Sequence, residues 1–306
     1  MKVLIIARCK QGRYAPFITE QVKALETQGV QCRFFGINKR GITGYLCHLR
    51  GFKQAVSEFQ PDIIHAHYGL CGLFANLQRR VPVITTYHGS DINDRVVRLF
   101  SHSSMRLSAW NIFVSQRTLD LAKPKRHFSL LPCGIDLCNS QKTSKIKARQ
   151  ELGLDDNKRY VLFSGAFGDA VKNAPLAKET VALLHDNAVL LELRGYSRKE
   201  VTLLMCAADA FLMTSFSEGS PQVIKEALAC GCPIVSVDVG DVRERVSGVM
   251  GCFVAKTYKP EELADLLQKA FLSGSRTNGL EKVVSDGLDN AFIVKRLLEI
   301  YNRVIV

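Results

Sequence analysis

One pattern constrains this chain more than any other: short apolar, β-rich runs alternate with amphipathic stretches from its first residues to its last. Repeated strand-length runs, each followed by a helical period, build parallel strands joined by crossover helices. In the first half the strand candidates are residues 3–7, 32–36, 63–66, 83–87, 111–115 and 128–132, with helical stretches at 17–28, 44–59 and 94–107. A polar stretch, residues 139–147, interrupts the rhythm and reads as a linker. The alternation then restarts with strands at 160–164, 189–193, 210–214, 233–237 and 252–255. Its helices are 174–185, 198–207, 221–230 and 260–272, and a last amphipathic helix spans 290–304. Two similar α/β halves follow, in agreement with the prior of one domain per ~150 residues. Open parallel sheets bind ligands at the carboxyl ends of their strands, so the cleft between the halves is the expected place of chemistry.

Composition excludes other classes. With 47% apolar and 23% charged residues, the chain is neither disordered nor fibrous. No apolar run reaches the ~18 residues of a spanning helix, and the apolar start Met1–Ala7 reads as too short for a signal peptide. The ten cysteines show no C-x-x-C spacing and read as reduced, mostly buried thiols of a cytoplasmic protein. His65 and His67 would form a metal pair only with a third converging ligand, and are assigned structural roles in their strand.

The most informative segment runs Ser215-Phe-Ser-Glu218-Gly219-Ser220-Pro221-Gln222-Val223-Ile-Lys-Glu226-Ala-Leu-Ala-Cys-Gly231-Cys-Pro233. Ser220 followed by Pro221 predicts a helix opening, with the serine as N-cap, and Gly231 followed by Pro233 predicts its end. Backbone N–H groups at such a helix start, together with the helix dipole, suit a phosphate. Glu218 precedes the helix and Glu226 lies inside it. One carboxylate can face a group bonded to the phosphate while the other accepts hydrogen bonds from a diol, and a nucleotide diphosphate sugar offers both. Glu192 and Glu200 share the same spacing without these flanks, so the context carries the specificity.

These residues resemble the retaining glycosyltransferases of family 4. The likeness is strongest over residues 197–242 and weaker at D-I-I-H-A-H, T-Y-H-G-S-D, L-P-C-G-I-D and S-G-A-F-G-D-A-V-K-N. It implies the α/β GT-B fold, two Rossmann-like domains facing across a central cleft. The implied division is an acceptor-side domain over residues 1–140, a donor domain over 141–288, and a helix at 289–306 packing back towards the first domain. By the same resemblance Glu226 binds the donor ribose and Glu218 the transferred sugar. Backbone groups of Gly219, Ser220, Pro221, Gln222 and Val223 hold the diphosphate, assisted by Lys172; otherwise Lys172 is a solvent lysine. His88 would lie beside the sugar and the acceptor, and Asp91 would either orient His88 or cap the following helix. Three positions depart from the family pattern. Gly165-Ala166-Phe167-Gly168 lacks an arginine for which Arg194 is the candidate substitute, the amino-terminal loop offers the donor Gly12 alone, and Cys133 stands where asparagine is usual. No D-x-D is present, so neither metal nor cofactor is expected.

The formal charge of +12 sharpens the partner. Residues 1–138 hold 19 lysines and arginines against 8 aspartates and glutamates, while residues 139–306 are nearly balanced at 22 against 21. No recognition motif accompanies the basic residues, so nucleic acid is not expected. Clusters at Lys123, Lys125 and Arg126, at Arg79 and Arg80, and from Arg95 to Arg98 suggest a face that approaches an anionic membrane surface. The acceptor would then be a glycan or a lipid-linked saccharide of cell-surface polysaccharide synthesis, with the chain cytoplasmic or peripheral on the inner face of the membrane. Two other readings stand beside this one: a non-catalytic nucleotide-sugar-binding subunit, and a sugar-nucleotide epimerase of the same fold.

Overall fold

A computed structural model describes residues 1–39, 41–137, 143–184, 188–274 and 276–305. The chain forms two compact units, one of Met1–Gly134 together with the C-terminal segment from Asn290, the other of Ile135–Asp289.

The first unit is a six-stranded parallel sheet in the order β2-β1-β3-β4-β5-β6. Its strands are β1 (Lys2–Arg8), β2 (Gln31–Ile37), β3 (Ile63–His67), β4 (Val83–Tyr87), β5 (Trp110–Phe113) and β6 (Phe128–Leu130). β1 is an interior strand, buried over Val3 to Ala7, which is why it reads as an unbroken apolar run rather than an alternation. Helix α1 (Pro16–Thr27) opens on a proline and turns Ile18, Val22 and Leu25 to the sheet. The predicted helix over 44–59 is two helices, α2 (Gly41–Leu46) and α3 (Leu49–Phe59). The break falls where Cys47 Sγ and His48 Nδ1 both bond to the Gly44 carbonyl, at 3.1 and 2.7 Å, taking the acceptor that a continuous helix would use. The unit also contains α4 (Gly69–Ala75), α5 (Ser90–Asn93), α6 (Arg95–Leu107) and α7 (Gln116–Ala122).

The second unit is a five-stranded parallel sheet in the order β11-β10-β9-β7-β8. Its strands are β7 (Arg159–Phe163), β8 (Ala188–Glu192), β9 (Ala210–Met213), β10 (Ile234–Ser236) and β11 (Phe253–Val254). The helices are α8 (Lys145–Leu152), α9 (Ala174–Ala182), α10 (Arg198–Ala207), α11 (Gln222–Ala229), α12 (Val242–Val246), α13 (Pro260–Leu272) and α14 (Gly279–Ser285). Of the expected linker at 139–147, residues 139–142 lie outside the described residues, as do 185–187 at the end of the expected helix 174–185. Lys145 onward is helix, capped by Ser144 Oγ on the Lys147 N–H and tied down by Arg149, whose Nη2 bonds Asp209 Oδ2 at 2.7 Å. A buried anchor of this kind leaves no apolar periodicity, so the stretch reads as polar linker.

Helix α15 (Asn290–Ile305) belongs to the first unit, where Ile293, Val294, Leu297, Ile300 and Tyr301 share a core with Ile18, Val22 and Leu25. In both sheets the first strand is flanked by the second on one side and the third on the other. β1–β3 and β7–β9 are therefore topological switch points, whose loops diverge to leave room for a ligand. The nine cysteines among the described residues are free thiols.

Candidate active site

In the second unit the loops after β7 and β9 meet at the switch point. The β7 loop ends in a 3-10 turn, Ala170–Lys172, whose N-cap Asp169 accepts from the Val171 N–H. Thr214, just past β9, donates its hydroxyl to the carbonyls of Lys172 at 2.9 Å and Asn173 at 3.0 Å, and Phe216 N–H donates to Val171 O at 2.9 Å. The two loops are thus stitched together. Lys172 Nζ lies 2.7 Å from Glu218 Oε1, with side chains 20% and 16% exposed. Gly165 has a local reason: a Cβ there would stand 3.0 Å from Lys172 Cγ.

Glu218 leads through Gly219 and Ser220 into α11. The expected Ser220 N-cap is not formed. Pro221 occupies the cap position, and Ser220 Oγ donates instead to Asp241 Oδ2 at 2.8 Å. Pro221, at the cap position, has no side chain able to cap the first turn of α11, and backbone N–H groups at a helix start suit an anion. Gln222 and Val223 form that first turn, and Gln222 Oε1 accepts from the fully buried Lys225 at 2.7 Å. Asp241 is held by Arg245 Nε at 2.9 Å, and Arg245 Nη1 reaches Asp286 at 3.0 Å. Gly240, at φ +60°, backs directly on the glutamate loop, for a Cβ there would lie 2.9 Å from Gly219 O. Gly240, Asp241 and Arg245 support the site although only the first two fall inside the motif-bearing stretch.

Glu226, inside α11, has a side chain 13% exposed, and its Oε1 pairs with Arg198 Nη2 at 2.7 Å. Its Oε2 is buried without a hydrogen-bond partner. An orphaned, buried carboxylate oxygen is costly unless a ligand's hydroxyl completes it. In sequence Arg198 reads only as the first residue of α10, whose start is a capping box of Ser197 and Glu200. Glu200 is thereby structural, as is Glu192, which accepts from Phe167 N–H at 2.7 Å. Arg194 follows edge strand β8, exposed.

In the first unit His88 sits at the carboxyl end of β4. Asp91 Oδ1 accepts from the N–H groups of His88 and Gly89, each at 3.0 Å, while Oδ2 accepts from Gly69 N–H at 2.9 Å. Asp91 thus fixes the backbone that carries His88. The cap of α6 is Asp94, which accepts from Val96 and Val97. Burial pushes the Asp91 carboxyl up to about 6, against the pull of these N–H donors. The His88 ring is packed by Phe17 and Tyr68, each with ring centroids 4.8 Å away, and its Nδ1 lies 3.7 Å from Cys133 Sγ. Tyr68 adopts φ +76°, ψ +145°, a strained region for a non-glycine residue that is enriched at functional sites.

The adjacent strand gives His67 a neighbour that β3 alone does not reveal. His65 and His67 lie on one face of β3, with stacked rings 4.5 Å apart, and His67 Nδ1 reaches His88 Nε2 at 3.0 Å. His65 is structural, bonded to Tyr301 OH at 2.6 Å and Thr86 Oγ1 at 2.8 Å. Gly12 lies at the tip of a tight turn closed by mutual Lys10 and Arg13 backbone bonds, where φ +77° requires its freedom. Among the described residues no group of three or more metal-ligating side chains converges.

The architecture matches solved structures over nearly the whole chain. Sucrose-phosphate synthase of Thermosynechococcus elongatus aligns with a TM-score of 0.85 at 15% identity, covering 99% of this chain and 98% of that one. HepE of Anabaena, solved with UDP-glucose, gives 0.75 at 17% identity, covering 99% and 100%. UDP-GlcNAc 2-epimerase of Methanocaldococcus jannaschii gives 0.65 at 12% identity, covering 99% and 100%, so the GT-B fold alone does not choose a reaction. Sequence does more. TuaC of Bacillus subtilis, named for teichuronic acid biosynthesis, is 28% identical over 225 residues, 63% of this chain and 57% of TuaC. The D-inositol 3-phosphate glycosyltransferase of Mycolicibacterium gilvum is 26% identical over 91% of this chain and 75% of its own length. The Glycosyltransferase Family 4 model matches residues 11–138, and the model for glycosyl transferases group 1 matches residues 165–272. The first match contains the His88 loop of the first unit and the second the Lys172 and Glu218 loops of the second unit, and the chain belongs to glycosyltransferase family 4.

Proposed function

We propose that this chain transfers a sugar from a nucleotide diphosphate sugar to an acceptor hydroxyl with retention at the anomeric carbon, without a bound metal. The observation that carries this reading is the buried, partnerless Oε2 of Glu226, one helix segment away from the Lys172–Glu218 pair. A ribose diol is a hydroxyl donor of the right chemistry for the first. A diphosphate-bound sugar suits the second, with Lys172 turning to the phosphate and Glu218 to the sugar. The amino end of α11, through its dipole, and the exposed Arg194 add positive potential for the leaving group.

In the reaction the bond from the anomeric carbon to the diphosphate oxygen breaks, and a bond to the acceptor oxygen forms on the same face. The acceptor proton passes to the departing diphosphate. Lys172 and the helix start stabilise charge developing on that oxygen, an electrostatic contribution of several kcal/mol at such sites. His88, held by Asp91 through the backbone, orients the acceptor hydroxyl. Gly12 sits in the amino-terminal loop proposed to approach the donor. The acceptor class we assign is a glycan or lipid-linked saccharide of cell-surface polysaccharide synthesis, in keeping with the name of TuaC.

Thermal unfolding of the chain with a panel of nucleoside diphosphates and their sugars tests the proposal. One donor raises the unfolding temperature by mass action. That donor then releases free nucleoside diphosphate with an acceptor, and Glu218→Ala or Glu226→Ala abolishes the release in a folded chain. Protection without release by any acceptor would leave a binding subunit. Near-wild-type release by either variant would refute the assignment.

A further inference from the structure

Helix α6 buries little apolar surface: Met105 is its one buried large apolar side chain. Its inward face carries Ser101 and Ser104, both fully buried, while Val96 and Leu99 are 66% and 67% exposed and Phe100 and Leu107 also face solvent. This arrangement has a steric cause. The serines lie so close to Gly69 and Gly72 of α4 that even a Cβ on either glycine would overlap a serine hydroxyl. The Ser101 hydroxyl is satisfied by Asp91 O at 2.8 Å. Small polar residues therefore close the helix onto α4, and Val96, Leu99, Phe100 and Leu107 are left on the outside. Scattered surface leucines need no explanation, but an apolar stripe on one helix face does.

The stripe is bordered by cations. From Arg95 to Phe128 the sequence holds seven lysines and arginines and one carboxylate, Asp120. None of the seven forms an ion pair among the described residues. Beside α6 an open groove of about 690 Å³ is lined by Leu99, Arg106, Leu121, Lys123, Lys125 and Arg126 among others. An aliphatic stripe with a basic margin on a helix of 13 residues is the composition of an element that lies in the plane of an anionic lipid surface. A second copy of this chain is disfavoured, since it would set seven cations against seven. Nucleic acid would meet the cations but leave the stripe uncovered.

We propose that the outer face of α6, with the Lys123–Arg126 loop, docks reversibly on an acidic phospholipid bilayer. The stripe enters the boundary between headgroups and acyl chains, and the cations bind lipid phosphates. No described helix is long and apolar enough to cross a membrane, so attachment through this face is peripheral. The inference is independent of the transfer chemistry.

Flotation of the full chain with vesicles tests it, using phosphatidylcholine alone and phosphatidylcholine with roughly a third phosphatidylglycerol. The chain is expected to float with the acidic vesicles only, and to be released on raising salt from ~0.1 M to ~1 M. The triple variant Lys123→Glu, Lys125→Glu, Arg126→Glu should lower partitioning at least about a hundredfold. Leu99→Ser with Phe100→Ser should also weaken it while leaving the residual binding salt-dependent. All five side chains are exposed, so the variants retain the wild-type unfolding temperature. Equal binding to neutral vesicles, no binding to acidic ones, self-association through α6, or full binding by both variants would each overturn the proposal.

Discussion

His67 Nδ1 lies 3.0 Å from His88 Nε2, and the other nitrogen of His67 is buried with no partner. This pair decides where the protons sit. An orphaned buried N–H is rarer and costlier than an orphaned lone pair, so His67 carries its proton on Nδ1 and donates to His88. Burial first, then the neighbouring His65 and His88, hold the His67 imidazole well below its ordinary range, keeping it neutral. His88 Nε2 is thereby an acceptor, and the His88 proton rests on Nδ1, towards Cys133. In the proposed transfer reaction His67 acts through His88, as a positioning residue.

Replacing His67 by alanine frees His88 Nε2 to take a proton. Turnover is expected to fall about ten- to hundredfold with little change in donor KM, and the acid limb of the pH–rate profile to move to higher pH. His67→Gln, whose amide can donate, should restore part of both. An unchanged acid limb in His67→Ala, or imidazole ¹⁵N shifts showing the proton of His67 on Nε2, would contradict the assignment.

The same column of histidines sets a stability trend. Burial lowers His65 from its ordinary 6.5 to about 3. A histidine kept neutral in the fold binds fewer protons than its unfolded counterpart below pH ~6.5. Its contribution is complete above that pH and is lost as pH falls towards 3. Each such group adds about 1.4 kcal/mol per pH unit to the slope. Denaturant unfolding between pH ~6 and ~4 should show stability falling by about one proton's worth per unit, His65 and His67 together supplying two and Asp91, whose carboxyl burial raises to about 6, offsetting one. His65→Gln should remove about one proton from that slope; an identical slope would count against a neutral buried His65.

Gly240 offers a test of how the glutamate loop is supported. Alanine there meets both a left-handed backbone at φ +60° and the Gly219 carbonyl at 2.9 Å. Gly240→Ala is expected to cost about 1 kcal/mol or more in stability and, by displacing Glu218, to raise donor KM several-fold. A variant destabilised but unchanged in donor KM would show that the loop is held elsewhere.

Much of this arrangement was legible in the sequence because it rests on local signals. All eleven strands coincide with apolar runs, and the Glu218–Glu226 segment stands out because a helix start and stop bracket it. What escaped was set by tertiary contact. Ser220 has a good N-cap sequence, yet the helix begins one residue later with Pro221 at the cap, and the serine hydroxyl donates to Asp241. Arg198 reads as a helix end until the fold sets it against Glu226. His67 reads as one more strand residue until strand order places β3 beside β4. The short helices α4, α5, α7, α12 and α14 have at most seven residues, too few for a helical period to show.

Whether Glu226 receives the donor's ribose can be measured directly by calorimetry. The nucleoside diphosphate that protects the chain best should bind more tightly than its 2′,3′-dideoxy analogue by about ten- to a hundredfold, the value of hydrogen bonds to a buried carboxylate. In Glu226→Ala that difference should vanish, the two ligands binding with the same, weaker affinity. If the wild-type chain does not distinguish them, or if the alanine variant keeps the full preference for the ribose, Glu226 does not hold the donor and the site proposed here is wrong.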